Sequence, residues 1–137
     1  EEICIRRVYS QNMNIPENLL YSSDHEWVRI ESGKAVIGIT DYAQDALGDV
    51  VFVELPDIGG VVTSGQSITE VESTKSVSDI YAPITGTIIE VNHDLVESPE
   101  LLNEDPYGDG WICTIQLPDD SMPDLLSPEQ YGELIAS

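Results

Sequence analysis

The chain has 137 residues, a length typical of one domain, and its 41% hydrophobic content is enough for a core that a disordered acidic tail would lack. Its 5 basic and 26 acidic residues give a formal net charge of −21. This charge excludes ordinary nucleic-acid binding and argues against docking on anionic membranes, because both need a positive protein surface. We therefore expect partners that present basic or apolar surfaces.

The sequence has no long apolar run and no paired-cysteine motif. No apolar stretch approaches the roughly 18 residues that a membrane span needs. Cys4 and Cys113 lie at opposite ends of the chain without metal or redox spacing, so we expect free thiols in a reducing compartment, with Cys113 in the core. Residues 1–16 are predicted to be an N-terminal extension, flexible or introduced in cloning. Residues 17–137 are predicted to form the single domain.

From Tyr21 onward, short β patterns separated by glycine and proline dominate the sequence. Their close spacing indicates a compact mostly β domain, either a sandwich or a barrel, with small peripheral helices. The predicted strands cover residues 27–30, 35–39, 50–55, 77–81, 87–91 and 111–117, with two more on either side of a turn at 63–66.

Three segments carry helix signals. Thr40 is predicted to cap a helix that runs to residue 47 and ends at Gly48. Ser98 followed by proline predicts the start of a second, short helix. The sequence Ser-Pro-Glu-Gln at 127–130 is a capping box and predicts a C-terminal helix over 128–135.

One lysine stands out by its position. The chain has only two lysines, Lys34 and Lys75, and strand patterns on both sides predict that Lys75 lies at the tip of a hairpin. Its neighbours Thr74 and Ser76 are too short to cover its side chain. A lysine amine can form an amide, which an arginine cannot. The alternative interpretation is a solvated surface charge without a function.

Several segments around this lysine match one known family. They are His25-Glu26-Trp27, residues 37–44, residues 47–56, Glu72-Ser73-Thr74-Lys75-Ser76, Asp79, Ala82-Pro83, Gly86, residues 105–108 and Gly110-Trp111. On these segments the chain resembles the H proteins of the glycine cleavage system, which are lipoyl-lysine carriers. The resemblance covers roughly residues 17–135.

The resemblance implies a fold and a function. The fold would be of the lipoyl-domain type, a mostly β barrel-sandwich hybrid of two small antiparallel sheets with short peripheral helices and a C-terminal helix. Lys75 would carry lipoate as an amide. The arm would shuttle the aminomethyl group of glycine from a pyridoxal-phosphate glycine decarboxylase to a tetrahydrofolate-dependent aminomethyltransferase, and then electrons to dihydrolipoyl dehydrogenase. The chain would be a non-catalytic carrier.

The resemblance also implies further partners and a location. Lipoate-attaching enzymes would act on the chain, which we expect to be a monomer because it visits its partners in turn. Its compartment would be the cytoplasm in a bacterium or the mitochondrial matrix in a eukaryote, and we favour the cytoplasm.

The family's loaded arm folds back onto the body of the domain. Carried over, the residues that contact it are Glu26 and the acid downstream of the lysine, Asp79, with Ile39 and Thr40 as neighbours in the same cleft. Some relatives have a histidine at the position of Ala46 that touches the arm. The alternative is that Glu26 and Asp79 are solvated surface acids, which are common in so acidic a chain.

Other functions remain open from the residues alone. The chain is compatible with another swinging-arm domain, although biotin carriers flank their lysine with methionines and this chain has Thr74 and Ser76. A non-carrier acidic module that binds a protein partner would not need Lys75. A carrier that relays lipoyl groups to other enzymes is a further possibility. His25 and His93 lack metal-ligand spacing, so neither a metal ion nor a catalytic group is predicted.

Overall fold

A computed structural model of the chain describes residues 14–118 and 125–136. Within these ranges, nine strands form two antiparallel sheets, a six-stranded sheet ordered β1-β2-β3-β9-β8-β5 and a three-stranded sheet ordered β4-β6-β7. The strands are β1 (Leu20–Tyr21), β2 (Glu26–Glu31), β3 (Lys34–Ile39), β4 (Val50–Glu54), β5 (Val61–Val62), β6 (Ser67–Ser73), β7 (Val77–Tyr81), β8 (Gly86–Val91) and β9 (Cys113–Gln116).

The predicted mostly β sandwich is confirmed, although its two sheets differ in size and do not close into a barrel. The turn predicted at 63–66 joins β5 of the large sheet to β6 of the small sheet, so it is the point where the chain passes between layers. Apolar side chains from both sheets meet in one core, with Val28, Ile37 and Ile115 from the large sheet and Val53 and Val71 from the small one.

Four helices occur in the described residues: α1 (Asp41–Leu47), α2 (Asp94–Glu97), α3 (Leu101–Glu104) and α4 (Pro128–Ala136). The predicted cap of α1 is confirmed, because Thr40 Oγ1 accepts a hydrogen bond from Ala43 N at 3.2 Å. The capping box of α4 is also confirmed. Ser127 N donates to Gln130 Oε1 at 2.9 Å, and Gln130 N donates to Ser127 Oγ at 3.2 Å. None of the described helices is long and apolar enough to span a membrane.

The short helix predicted after Ser98 is present as α3, but it begins at Leu101, two residues later than predicted, and Ser98 is not its cap. Ser98 is the residue that ends α2, with its N–H donating to Asp94 O at 2.8 Å, and its carbonyl accepts from Leu101 N at 3.1 Å. Sequence reasoning missed α2. In this helix Asn92 Oδ1 accepts from Asp94 N at 3.2 Å, and Leu95 is fully buried in the core.

The chain contacts the domain before residue 17. Asn14 N donates to Asp41 Oδ2 at 2.9 Å, and the Tyr21 hydroxyl donates to Pro16 O at 2.6 Å. Residues 1–13 of the predicted extension, including Cys4, lie outside the described residues. The predicted core position of Cys113 is confirmed: the residue is fully buried, and burial raises the pKa of its thiol to about 12.

A second apolar cluster attaches α4 to the outer face of the large sheet. Its buried members are Leu19, Tyr21, Trp27 and Tyr131. Tyr131 of α4 stacks on Tyr21 with ring centroids 4.7 Å apart. Trp27 donates from Nε1 to Pro106 O at 2.8 Å, which fixes the plane of its indole ring. The ring lies over Gly38, its partner in the β2–β3 register.

We expect Gly38→Ala to destabilise the fold by roughly 1–3 kcal/mol, because overpacking a fixed ring forces side chains from their preferred positions. An added Cβ would lie 2.5 Å from the indole of Trp27. Chemical denaturation measures the free energy of unfolding. Gly132→Ala in α4 is the matched control, since its Cβ would make only an ordinary 3.7 Å contact with Ile15 and alanine favours a helix. A Gly38→Ala protein as stable as its parent would contradict the packing described here.

Candidate functional site

The structure places Lys75 in the turn of the β6–β7 hairpin, with its side chain exposed. Ser73 organises this turn. Its N–H donates to Ser76 O at 2.8 Å, and its hydroxyl oxygen accepts from Lys75 N at 3.1 Å and from Ser76 N at 3.2 Å. Because these bonds hold the backbone on both sides of the lysine, the turn presents its amine from a fixed base.

The end of α1 forms a platform under this turn. Thr74 N donates to Asp49 O at 3.0 Å, which ties the turn to the segment after the helix. Gly48 has a φ of +82°, and a Cβ there would lie 3.1 Å from Lys75 Cε and 3.6 Å from Nζ. The lysine side chain therefore lies across Gly48, where any larger residue would crowd it.

Asn103 of α3 holds that platform in place. Its Nδ2 donates to Gly48 O at 2.8 Å and to Gln44 Oε1 at 3.0 Å. Its Oδ1 accepts from Val50 N at 2.9 Å. Sequence reasoning missed Asn103, since no local pattern marks it, and it identified Gly48 only as the end of a helix.

Glu26 is almost fully buried at the start of β2, directly opposite Ile39 of β3. Ser22 Oγ donates to its Oε1 at 2.6 Å, and the backbone N–H of Tyr81 in β7 also donates to its carboxyl group. Loss of hydration nevertheless outweighs these bonds and raises the pKa of the Glu26 carboxyl to about 7. Glu26 is thus a buried acid between the two sheets, in contrast to the solvated surface acid of the alternative interpretation.

The hydroxyl group of Tyr131 in α4 contacts His25 and Thr40, the neighbours of Glu26 and Ile39 in the chain. Tyr131 Oη lies 2.7 Å from Thr40 Oγ1 and 2.9 Å from His25 Nδ1. His25 adopts a φ of +72°, and its carbonyl accepts from Thr40 N at 3.1 Å. Burial raises the pKa of Tyr131 and lowers that of His25, so both rings are held neutral. Sequence reasoning missed Tyr131, which lies 91 residues from Thr40 in the chain.

Asp79 lies on the outer face of the small sheet. It is exposed, pairs with Glu70 of β6, and its Oδ1 accepts from Ser67 Oγ at 3.2 Å. It lines a surface cavity of about 290 Å³ together with Glu54 and Asp57.

The structure therefore brings together three of the predicted site residues, Glu26, Ile39 and Thr40, where β2 begins and β3 ends. Lys75 and Asp79 both lie on the β6–β7 hairpin, and the Tyr81 N–H connects this hairpin to Glu26. Ile39 and Thr40 are fully buried, so their role beside an arm stays a prediction.

These features define a class of protein. A β sandwich presents the exposed side chain of Lys75 on a hairpin turn, above a glycine that leaves room for it. Within residues 14–118 and 125–136, no group of His, Cys, Asp or Glu is placed to hold a metal ion. This arrangement fits a carrier domain.

Comparisons with known proteins define the family. The profile of the glycine cleavage H-protein family matches residues 19–137. A glycine cleavage system H protein of Rubrobacter xylanophilus is 55% identical over 118 residues, which cover 86% of this chain and 92% of that relative. The H protein of Carboxydothermus hydrogenoformans is 47% identical over 122 residues, covering 88% and 94%.

A solved structure agrees with these sequence matches. The crystal structure of a glycine cleavage system H protein from Mycobacterium marinum superposes with a TM-score of 0.83 at 42% identity, covering 90% of this chain and all of that one. The chain belongs to the glycine cleavage H-protein family. Members of this family are the lipoate-carrying shuttles of a multienzyme system and are carrier subunits, not enzymes.

We expect Glu26→Gln to change the pH dependence of stability. The folded-state pKa of Glu26 is about 7 and its ordinary value is 4.5, so folding favours the protonated carboxyl. The stability contributed by this carboxyl is present in full below pH 4.5 and is lost as the pH rises through 7. Glutamine stays neutral at every pH. As the pH rises from below 4.5 to above 7, the free energy of unfolding of the variant should therefore increase by on the order of 3 kcal/mol relative to that of its parent.

Urea denaturation at several pH values measures this difference. Glu90→Gln, an exposed acid on β8, is the control and should show no such gain. A stability difference between Glu26→Gln and its parent that stays constant with pH would show that Glu26 ionises normally.

Proposed function

We propose that Lys75 carries lipoate as an amide and that the resulting arm transfers the aminomethyl group of glycine between the enzymes of the glycine cleavage system. The observation that carries the proposal is the exposed amine of Lys75 on a turn fixed by Ser73, with its stem across Gly48. A Cβ at position 48 would occupy space beside the lysine stem, so the glycine fits a lysine that must remain accessible.

Attachment requires an activated acyl donor, such as the acyl adenylate that a lipoate-attaching enzyme makes from lipoate and ATP. The Lys75 nitrogen attacks the acyl carbon, and a C–N bond forms. The bond between the acyl carbon and AMP breaks, and the nitrogen loses a proton to water. Lysine suits this role because its amine is nucleophilic once deprotonated.

The reach of the arm supports a resting place on the hairpin itself. From the Cα of the lysine to the dithiolane ring, an extended arm measures about 14 Å by ordinary bond lengths. Lys75 and Asp79 are four residues apart, so their Cα atoms are separated by at most about 14 Å. An arm that folds back along β7 therefore reaches Asp79.

The carboxylates supply the chemistry that a loaded arm needs. When bound, lipoate offers a disulfide that accepts the aminomethyl group as carbon dioxide leaves. The cargo has a cationic amine, for which Glu26 and Asp79 are suitable partners. Contact with an ammonium group would favour the ionised form of Glu26. Burial of the amine beside Glu26 would also keep water away from a group that water hydrolyses.

The partners follow from this cycle. They are a pyridoxal-phosphate glycine decarboxylase, a tetrahydrofolate-dependent aminomethyltransferase, dihydrolipoyl dehydrogenase and the lipoate-attaching enzyme. A monomer that works in the reducing environment of the cytoplasm suits a shuttle that visits each of them. A net charge of −21 favours partners with basic docking surfaces.

We expect Lys75→Arg to abolish attachment while leaving the fold unchanged, because an exposed turn substitution has little effect on stability. Intact mass and peptide mapping after incubation with lipoate, ATP and an attaching enzyme measure the modification. Lys34→Arg is the matched control and should be modified at Lys75 like the parent. Failure of the parent to be modified, with a known acceptor modified in the same tube, would refute the proposal. A glycine–bicarbonate exchange assay then distinguishes this carrier from other lipoyl domains.

We expect Asp79→Asn and Glu26→Gln to shorten the lifetime of the aminomethyl-loaded form by roughly tenfold, as loss of a charge-assisted hydrogen bond predicts. The measurement is the rate of ammonia or formaldehyde release from the loaded chain. Glu90→Gln serves again as the control for a lost negative charge. Equal release rates in all three variants and the parent would remove Glu26 and Asp79 from the cleft.

A further inference from the structure

The outer face of the small sheet exposes three apolar side chains beside the lysine turn. Val51, Phe52 and Val77 keep 53%, 48% and 55% of their surface exposed, and we call them the apolar patch. Phe52 of β4 pairs with Glu72 of β6, which pairs in turn with Val77 of β7. The patch therefore lies on the two outer strands, on either side of Glu72, at the end of the sheet that carries Lys75.

A β-bulge produces this exposure. The register of β4 against β6 shifts between Val50 and Phe52. Val50 and Val53 are buried, whereas both residues between them are exposed, which a regular alternating strand would not allow. Bulges of this kind re-aim side chains next to functional sites. Here the bulge sends two consecutive apolar residues into solvent, where they contribute nothing to the core.

Carboxylates border the patch on the same face. Glu72 lies within the row of the patch, and the next row along the strands holds Glu54, Glu70 and Asp79, all exposed. A surface of this composition matches a partner that combines apolar side chains with lysine or arginine beside them. It does not match a second copy of the same face, since the carboxylates of two copies would repel each other.

The length of the side chain decides which partner must use this surface. Unmodified Lys75 has only its own four-carbon stem, so an enzyme that acts on the amine has to contact the protein immediately around the turn. An enzyme that acts on the distal end of a completed arm has roughly 8 Å of chain beyond the lysine nitrogen and can dock farther from the turn. The surface next to Lys75 is therefore most constrained during attachment of the arm.

We propose that the apolar patch is the docking surface for the enzyme that acylates Lys75, and that this enzyme meets it with apolar side chains that have cationic ones beside them. The inference rests on the proposed function, since it presumes that Lys75 is the acceptor. The inference goes further by naming the residues through which the acylating enzyme would recognise Lys75.

The test is the rate of acylation of the full chain by an ATP-dependent lipoate-attaching enzyme. Phe52→Thr and Val77→Thr replace patch residues with a residue that also favours strands. We expect each to lower kcat/KM by tenfold or more, chiefly through KM, with Lys75 still the modified residue. Ile58→Thr and Val61→Thr are matched controls, because these side chains are 58% and 71% exposed but belong to the loop before β5 and to β5 itself.

A competition experiment measures docking to the attaching enzyme separately from the acylation of Lys75. The Lys75→Arg chain should inhibit acylation of the parent, and adding Phe52→Thr to it should weaken that inhibition at least tenfold. Circular dichroism and thermal unfolding of each variant separate lost docking from lost folding. Should Phe52→Thr disturb the fold, Val77→Thr, which keeps the size of the side chain, decides the question.

The outcomes distinguish the inference from the proposed function. Unmodified Lys75 in the parent chain refutes the function. Normal acylation of the parent together with equal kcat/KM in the patch and control variants refutes the inference alone. Normal acylation of the patch variants with slower loading by the decarboxylase assigns the patch to that enzyme and overturns the inference. Sedimentation of the parent as a dimer that Phe52→Thr dissociates assigns it to self-association, with the same consequence.

Discussion

The hydrogen bond from Thr74 N to Asp49 O is the contact on which the site depends. It joins a hairpin of the small sheet to the end of α1, which follows directly from the large sheet. Asn103 then fixes Gly48 and Val50 on either side of Asp49, so the lysine turn rests on a segment that is itself held at both ends. A carrier must present the same geometry to several partners, and a turn attached only to its own hairpin would move more freely.

The two acids proposed to meet the cargo are in opposite environments. Glu26 lies between the sheets, where burial raises the pKa of its carboxyl to about 7, while Asp79 is exposed on the outer face. An exposed carboxylate attracts a cation weakly because water screens it, whereas a buried one gains more when a cation neutralises it. The pair thus combines an accessible first contact with a deeper one that favours a cationic group over a neutral one.

Much of the fold could be predicted because its signals are local. The strand over 35–39, the Thr40 cap and the capping box at 127–130 each depend on neighbouring residues, and the structure confirms them. The helix start predicted at Ser98 is displaced to Leu101, because Ser98 ends the preceding helix α2. The contacts of Tyr131 with Thr40 and of Asn103 with Gly48 join residues far apart in the chain, so no local pattern predicts them. The cleft residues came from a family resemblance, and the roles of Ile39 and Thr40 there stay predictions.

The buried thiol of Cys113 has a consequence for the redox chemistry of a carrier. A thiolate is the species that attacks a disulfide, and its rate depends on how much of the thiol is ionised and on access. Cys113 is fully buried on β9 and its pKa is raised to about 12, so at neutral pH it is protonated and out of reach. The disulfide of an arm on Lys75 would therefore not be intercepted by this cysteine.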